Sequence, residues 1–361
     1  MPNVRKIAKN LGVSVATVSR ALNDRPNVRP DTRQRVMAEA SRMGYELVRR
    51  PTNTNVIGLV YTAYQGRVDY GGFDAALIGG ILRGVQEQRF DVTIISMHRD
   101  KLPSEDYTSF FRRKGVMGVI LRTFMTTRQV CQSIAEEGFP SIVVADKFEN
   151  ESVNFICTDS RKDSERAVEH LINLGHRRIG LGVHCGRDTD HEDRRMGYHD
   201  ALEKHGIEHD PALSVDLVAD MSGGANTINL FLSMPVPPTA IYFTDPLATL
   251  GALHRCRELG IRVPEDLSII GFDDSDVRNH AFPTFTAVCQ DASALGFEAA
   301  HWLTRSIAGY QRDGMRHVLR TTFEVNQSTA VPPEKPRRIG HPVSIGVQRA
   351  VAVPSVALPN D

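Results

Sequence analysis

The sequence of 361 residues is poor in everything that would mark an export or membrane protein. No apolar run approaches the roughly 20 residues needed to span a bilayer, and no leader precedes the first patterned segment. The five cysteines, Cys131, Cys157, Cys185, Cys256 and Cys289, are odd in number and scattered, without the paired spacing of a disulfide framework or a zinc site. These absences point to a soluble cytoplasmic chain with buried thiols. Enzyme signatures are missing too: there is no phosphate-binding P-loop, no nucleophile elbow and no helical His pair framing a Glu. GLGVHCG follows an apolar strand, but Cys185 stands where a dinucleotide loop needs its third glycine. His184, Cys185, Asp188, Asp190, His191 and Glu192 crowd one stretch at a spacing that fits no metal site, so a solvated polar loop is the expectation. No catalytic residue, metal or cofactor is expected.

Net charge is also absent, with 43 basic and 43 acidic residues, yet the balance is uneven along the chain. Residues 1–50 carry eleven Lys and Arg against four Asp and Glu; residues 51–330 carry 28 against 37. A small basic head on an acidic body suits a chain that holds a polyanion at one end only. Within the head, apolar residues recur at Val4, Ile7, Ala8 and Leu11, stop at Gly12, and resume at Val18, Ala21 and Leu22. That period predicts two short helices about a tight turn, with Asn3 and Ser14 as caps and Val13 plugging the angle. The second helix then exposes Val15, Ala16, Thr17, Ser19 and Arg20, a set that offers methyls to thymine, hydroxyls to phosphate and a guanidinium to guanine. Spacing alone leaves an ordinary helical hairpin as an equal alternative.

IAKNLGVSVATVSRALND followed by VRPDTRQRVMAEASRMGY resembles the DNA-binding headpiece of the lac repressor family (LacI/GalR) from Val4 to Tyr45. The resemblance implies that Val15, Ala16 and Arg20 read bases, while Ser14, Thr17, Ser19 and Asn23 hold the phosphate backbone. Two positions depart from the family pattern. Lys6 stands where an acidic residue is usual, and Arg29 replaces a Ser before Pro30, where it is placed to touch phosphate. Pro30 and Asp31 still suit the first turn of a third helix running to about Met43, with Val36, Ala40 and Met43 inward and Gly44 ending it.

The following stretch, GYELVRRPTNTNVIGLV, leaves only Glu46 to Arg50 free to be helical, because Pro51 and the residue before it resist helix. A flexible basic linker with Arg49 and Arg50 near phosphates is therefore expected in place of the family's hinge helix. Leu47 as a minor-groove wedge is the competing reading.

From Val56 the pattern becomes alternating strands and helices. VIGLVY, DVTIIS, VMGVIL and SIVVA read as strands buried on both faces, with helices near 77–89, 104–114 and 127–137; a second set starts at FICTD and continues through RIGLGV, LSVDLV, TAIYF and LSIIGF. The resemblance extends through RRMGYHDAL, AIYFTD, RVPEDLSIIGFDD and PTFTAVCQD to about Val331. The expected fold is an all-α helix-turn-helix headpiece followed by an α/β periplasmic-binding-protein-like core of two doubly wound parallel-sheet subdomains. Its domains are a headpiece at 1–45, a shortened linker at 46–55, an effector-binding and dimerisation core at 56–331 with crossovers near 157, 285 and 320, and a Pro-rich disordered tail at 332–361. VSIGV or AVAVP in that tail is the alternative source of an added edge strand.

Open parallel sheets bind ligands beyond the carboxyl ends of their strands. The candidates there are Tyr61, Phe73, Asp74, Arg122, Asp146, Thr244, Asp245 and Asp273, with Arg194 placed in the cleft by the family's Arg three residues before Gly197. Aromatic faces with carboxylates and guanidiniums suit sugar hydroxyls. Arg122 signals either an acidic ligand or an ion pair with Asp146. Asp159 and Asp274 read as turn or cap carboxylates. The expected protein is a homodimeric or higher-order transcriptional repressor. It would bind a pseudopalindromic double-stranded DNA operator and a small carbohydrate effector, with no role for a membrane. An architectural DNA binder with a degenerate cleft and, further off, a solute-binding protein are the rivals.

Overall fold

The computed structural model describes residues 4–22, 28–43, 55–62, 71–185 and 189–340. The headpiece is three helices, α1 (Val4–Leu11), α2 (Val15–Leu22) and α3 (Pro30–Arg42). Their inward faces bury Ile7, Ala8, Val18, Ala21, Leu22, Val36 and Ala40 in one small core. Gly12 turns the chain at φ +66, a left-handed conformation that disfavours side chains. Gly44 and the linker with Leu47 lie outside the described residues, as do Asn23, Arg49 and Arg50.

The body begins with β1 (Val56–Tyr61), α4 (Gly72–Gly84), β2 (Asp91–Ser96), α5 (Met97–Asp100), α6 (Tyr107–Lys114), β3 (Gly118–Arg122), α7 (Arg128–Glu136), β4 (Ser141–Val144) and β5 (Phe155–Thr158). It continues with α8 (Ser160–Asn173), β6 (Ile179–His184), α9 (Thr189–Lys204), β7 (Ser214–Leu217), α10 (Met221–Leu232), β8 (Ala240–Phe243), α11 (Pro246–Glu258) and β9 (Ser268–Asp273). The last elements are β10 (Thr286–Cys289), α12 (Ala292–Ile307), β11 (Arg316–Leu319) and β12 (Thr322–Glu324). Two six-stranded sheets result, in the orders β11-β5-β4-β3-β1-β2 and β12-β10-β9-β8-β6-β7. Every pairing is parallel except β10 with β12.

Strand alternation explains the layers. In the first sheet Val60, Val119, Leu121 and Val143 face a cluster with Phe110, Phe111 and Cys131 from α6 and α7. Ile57, Leu59, Ile120 and Ile142 face the opposite way, toward Leu77 and Ile81 of α4 and Leu295, Ala299 and Leu303 of α12. In the second sheet Ile241, Phe243 and Ile269 meet α10 and α11, while Leu181, Tyr242 and Phe272 meet α8 and α9. Each fully buried Phe or Leu contributes on the order of 2 kcal/mol, so both sheets need both covers.

Several expectations are corrected. The first helix of the body starts at Gly72 rather than 77 and ends at Gly84. The helix expected at 104–114 starts later, at Tyr107, where Asp106 caps α6 through Ser109 N at 2.6 Å, and Gly115 ends it at φ +77; α5 is a separate short turn before it. FICT closes the first sheet instead of opening the second, since β5 pairs with β4 and β11. DVTIIS and LSVDLV are edge strands with exposed residues rather than doubly covered ones. The chain crosses between sheets at Asp159, at Gln290–Asp291 and at Arg320–Thr321; the second crossing comes after 285 because β10 belongs to the second sheet. Part of the stretch expected to be disordered also packs: Ile339 joins the cluster of α10 and donates its N–H to Leu232 O at 2.9 Å, while 334–338 stay exposed. VSIGV and AVAVP lie outside the described residues.

Candidate DNA-binding surface and effector cleft

Ser14 caps α2: its Oγ accepts from Thr17 N at 3.0 Å and lies 2.8 Å from Thr17 Oγ1. That bond holds Thr17 half-buried while Val15, Ala16, Ser19 and Arg20 stay exposed on one face. Val15 is 47% exposed, so its methyls are available to a partner on this face. Arg29 is exposed at the start of α3, where its carbonyl accepts from Arg33 N at 3.0 Å. Asn10 and Arg42 converge on Glu39, tying α1 to α3; these bonds hold its carboxyl at about 2.

In the body, the carboxyl ends of the two sheets meet across a cleft. Arg128 Nη1 reaches Thr189 Oγ1 at 3.4 Å, Lys147 lies 3.8 Å from Asp193, and Gly72 sits so close to Ser275 that a Cβ there would be 2.4 Å from its Oγ. On the first wall, Arg122 is buried, stacks over Phe73 at 4.6 Å and lies 3.6 Å from Asp74. Tyr61, beside it in the β1–β3 register, is buried. On the second wall, Arg194 is 3% exposed and its guanidinium lies 3.5 Å over the Phe272 ring. Arg194 Nη1 donates to Thr244 O at 2.7 Å and Nη2 to Gln290 Oε1 at 3.1 Å; Nε has no hydrogen-bond partner among the described residues. Gln290 Nε2, Thr158 Oγ1 and Asp274 Oδ1 are likewise buried and without a hydrogen bond.

The amino end of the chain, residues 3–46, matches the description "Bacterial regulatory proteins, lacI family", and residues 168–329 match a periplasmic binding protein-like domain. The HTH-type transcriptional regulator reg1 of Streptomyces lividans is 30% identical over 339 residues, covering 91% of this chain and 96% of its own length. The chain belongs to the lacI family. DegA of Bacillus subtilis, an HTH-type transcriptional regulator, is 28% identical over 332 residues, covering 90% of this chain and 97% of its own. A solved complex of the regulator CelR with cellobiose superposes with a TM-score of 0.65 at 27% identity, over 91% of this chain and all of that one. As a lacI-family member the chain is a DNA-binding transcriptional regulator; its relatives are regulators rather than enzymes. No helix among the described residues is long and apolar enough to cross a membrane.

Against this lacI-family frame, several site residues have other partners than expected. Arg122 does not pair with Asp146. Arg122 shares its strand face with Ile120, under α4, so it meets Asp74; Asp146 is met by Arg128 from α7, which also donates to Lys147 O at 2.8 Å and stacks over Phe148 at 4.3 Å. Burial pushes the Asp146 carboxyl up and Arg128 pulls it back. Asp245 caps α11, accepting from Ala248 N at 2.9 Å. Asp273 is fully engaged: Oδ1 takes Ser275 N and Val277 N, and Oδ2 takes Arg278 N and Arg278 Nη1 at 2.9 Å. Arg278 in turn grips Asp276 and Glu324, which ties this turn to β12 and holds the guanidinium charged.

Asp274, read from sequence as a turn carboxylate, is instead the acid of this turn with an oxygen to spare. Its carboxyl rises to about 7, chiefly from burial and then from the neighbouring charge of Asp245. Asp159 does cap α8, accepting from Lys162 N at 3.4 Å. Gln290, Thr158 and Arg128 were missed. Gln290 directly follows β10 and Thr158 ends β5, so the strand-end rule that found Thr244 was the available signal; Arg128 opens a helix and had none. His184 and His191 stack edge-on at 4.9 Å, but no group of three or more metal-ligating residues exists among the described residues.

Proposed function

We propose that the chain is a repressor that binds a two-fold symmetric operator as a homodimer in the cytoplasm, and that a small carbohydrate in the cleft sets its affinity for DNA. Val15, Ala16 and Arg20 read base edges in the major groove; Ser14, Thr17, Ser19, Asn23 and Arg29 hold phosphates, joined by Arg49 and Arg50 of the linker. In the cleft, Arg194, Asp274, Gln290 and Thr244 bind the effector from one wall and Tyr61, Phe73, Asp74 and Arg122 from the other. Asp146 positions Arg128, while Asp245 and Asp273 shape the loops.

The observation that carries this reading is Arg194: a buried cation, pinned by Thr244 and Gln290 on an aromatic face, with a donor left over, whose charge acts on Asp274, a carboxyl with an acceptor left over. A sugar hydroxyl satisfies both at once, accepting from the guanidinium and donating to the acid. CelR, a regulator of this fold solved in complex with cellobiose, supports a saccharide as the effector. Because the effector touches both walls, it favours one arrangement of the subdomains, and operator affinity shifts by its differential affinity for the two.

Selection of bound duplexes from random DNA by the full-length protein, at a stated salt concentration, comes first; a two-fold symmetric site is expected. Anisotropy titrations of that site with and without glucose, ribose, maltose or cellobiose follow. One sugar should change operator affinity at least about fivefold. An asymmetric site refutes the dimeric mode, and no change with any sugar refutes carbohydrate control.

A further inference from the structure

We infer that the cleft accepts an uncharged saccharide and rejects the acidic derivatives of the same sugar. This rests on the carbohydrate-effector reading and narrows it. It follows from where the arginines described in the cleft are already committed; Lys147, the other described cation there, faces Asp193 at 3.8 Å. Arg122 is held between the Phe73 ring at 4.6 Å and the Asp74 carboxylate at 3.6 Å. Arg128 is held by Asp146, by Lys147 O and by the Phe148 ring. Arg278 carries Asp273, Asp276 and Glu324. A uronate or a sugar phosphate could reach Arg122 or Arg128 only by breaking an ion pair and leaving Asp74 or Asp146 without its counter-charge.

Among the described residues Arg194 is the cleft arginine with no ion pair to a carboxylate, and it faces the opposite obstacle. Two of its nitrogens are spent on Thr244 O and Gln290 Oε1, and what lies near it is acidic: Asp274 with a bare Oδ1, and Asp245 beyond. Burial first, and then the charges of Asp245 and Asp273, push the Asp274 carboxyl upward, while Arg194 draws it back, so negative charge is already disfavoured at this turn. A second anion there adds repulsion. A hydroxyl does not, since it donates to Asp274 and accepts from Arg194 Nε.

The test is calorimetry on the full-length protein with matched probes: glucose, glucuronate and glucose 6-phosphate; galactose and galacturonate; and the neutral disaccharides cellobiose and maltose. For the sugar series that binds, the neutral member should bind at least tenfold more tightly than its acid or phosphate. An Asp74→Asn variant, checked by melting and operator binding for folding, leaves Arg122 with a neutral neighbour. It should narrow the preference for the neutral sugar at least fivefold. A uronate or phosphate that binds as well as its neutral parent overturns the charge inference while carbohydrate control stands. An unchanged ratio in the folded variant overturns the role given to the Asp74–Arg122 pair. No heat with any probe sinks the carbohydrate reading, and this inference with it.

Discussion

Replacing Gly197 by Ala should cost both stability and effector affinity. Gly197 lies where α9 crosses α8; a Cβ on it would sit 2.1 Å from Arg161 O, 2.9 Å from Glu165 N and 2.9 Å from Ser164 Cβ. Two of these three are backbone atoms of a regular helix, so no side chain can swing aside. A carbon approaches a carbonyl oxygen to about 3.3 Å, which forces the helices apart by about 1.2 Å. Overpacking of this kind costs about 1–3 kcal/mol, or about 2–12 °C in Tm for a body of this size. One turn upstream on α9, Arg194 moves with the helix and loses its bonds to Thr244 O and Gln290. Hydrogen bonds to a charged group are worth about 1.5–3 kcal/mol, so the saccharide that controls operator binding should lose at least about tenfold in affinity. Differential scanning calorimetry and ligand titration measure the two effects. Gly79 is the control, because it is exposed in α4 and a Cβ there meets nothing within 4 Å. Gly79→Ala should raise stability by about 0.4–1 kcal/mol. A Gly197→Ala protein that melts with the wild type and binds effector normally would refute the helix-crossing argument.

Ser14→Ala removes the cap on α2 and should destabilise the headpiece by about 1 kcal/mol, read as a lower headpiece melting midpoint with the body's midpoint unchanged. Asp274 holds its proton to about pH 7 when folded and releases it near 3.8 in a free chain, so stability falls as pH rises between those values. Asp274→Asn should therefore raise Tm at pH 8 by more than at pH 5, and an equal change at both would refute the buried acid. His176 is fully buried between Thr239 Oγ1 at 2.8 Å and Ala330 O at 2.9 Å, and burial lowers its affinity for a proton, as it does for His170. Below about pH 6.5 the unfolded chain takes up protons that the folded one refuses, so stability should drop from there until these histidines protonate in place. His176→Gln should flatten that acid limb in urea titrations; an unchanged slope would place the proton uptake elsewhere.

The headpiece was legible because its information is local. A 3.6-residue period, one glycine and one hydroxyl suffice for three helices, and the exposed face of α2 follows once Ile7, Val18 and Leu22 are inside. The alternation of apolar strands with helices likewise foretold two parallel sheets, since a strand buried on both faces has little else it can be. Arg194 was found through a family pattern, and Thr244 through the rule that ligands lie past strand ends. Sequence reading failed where a partner is chosen by the third dimension. Asp273 and Asp274 are adjacent and chemically identical; only the path of the turn through Ser275, Val277 and Arg278 aims three amides and a guanidinium at the first and none at the second.

Arg122 shows the same division. Its place at the end of β3 was determined by the apolar run before it, and so was the alternation that puts it on one face. Which carboxylate it meets depended on α4, rather than α7, covering that face, and crossover connections set that over tens of residues. The sequence by itself determined the local periods, the turns, the basic head and the residue types available at the strand ends. Tertiary structure decided which charges cancel, because burial and counter-ion distance are properties of packed surfaces and not of positions along a chain.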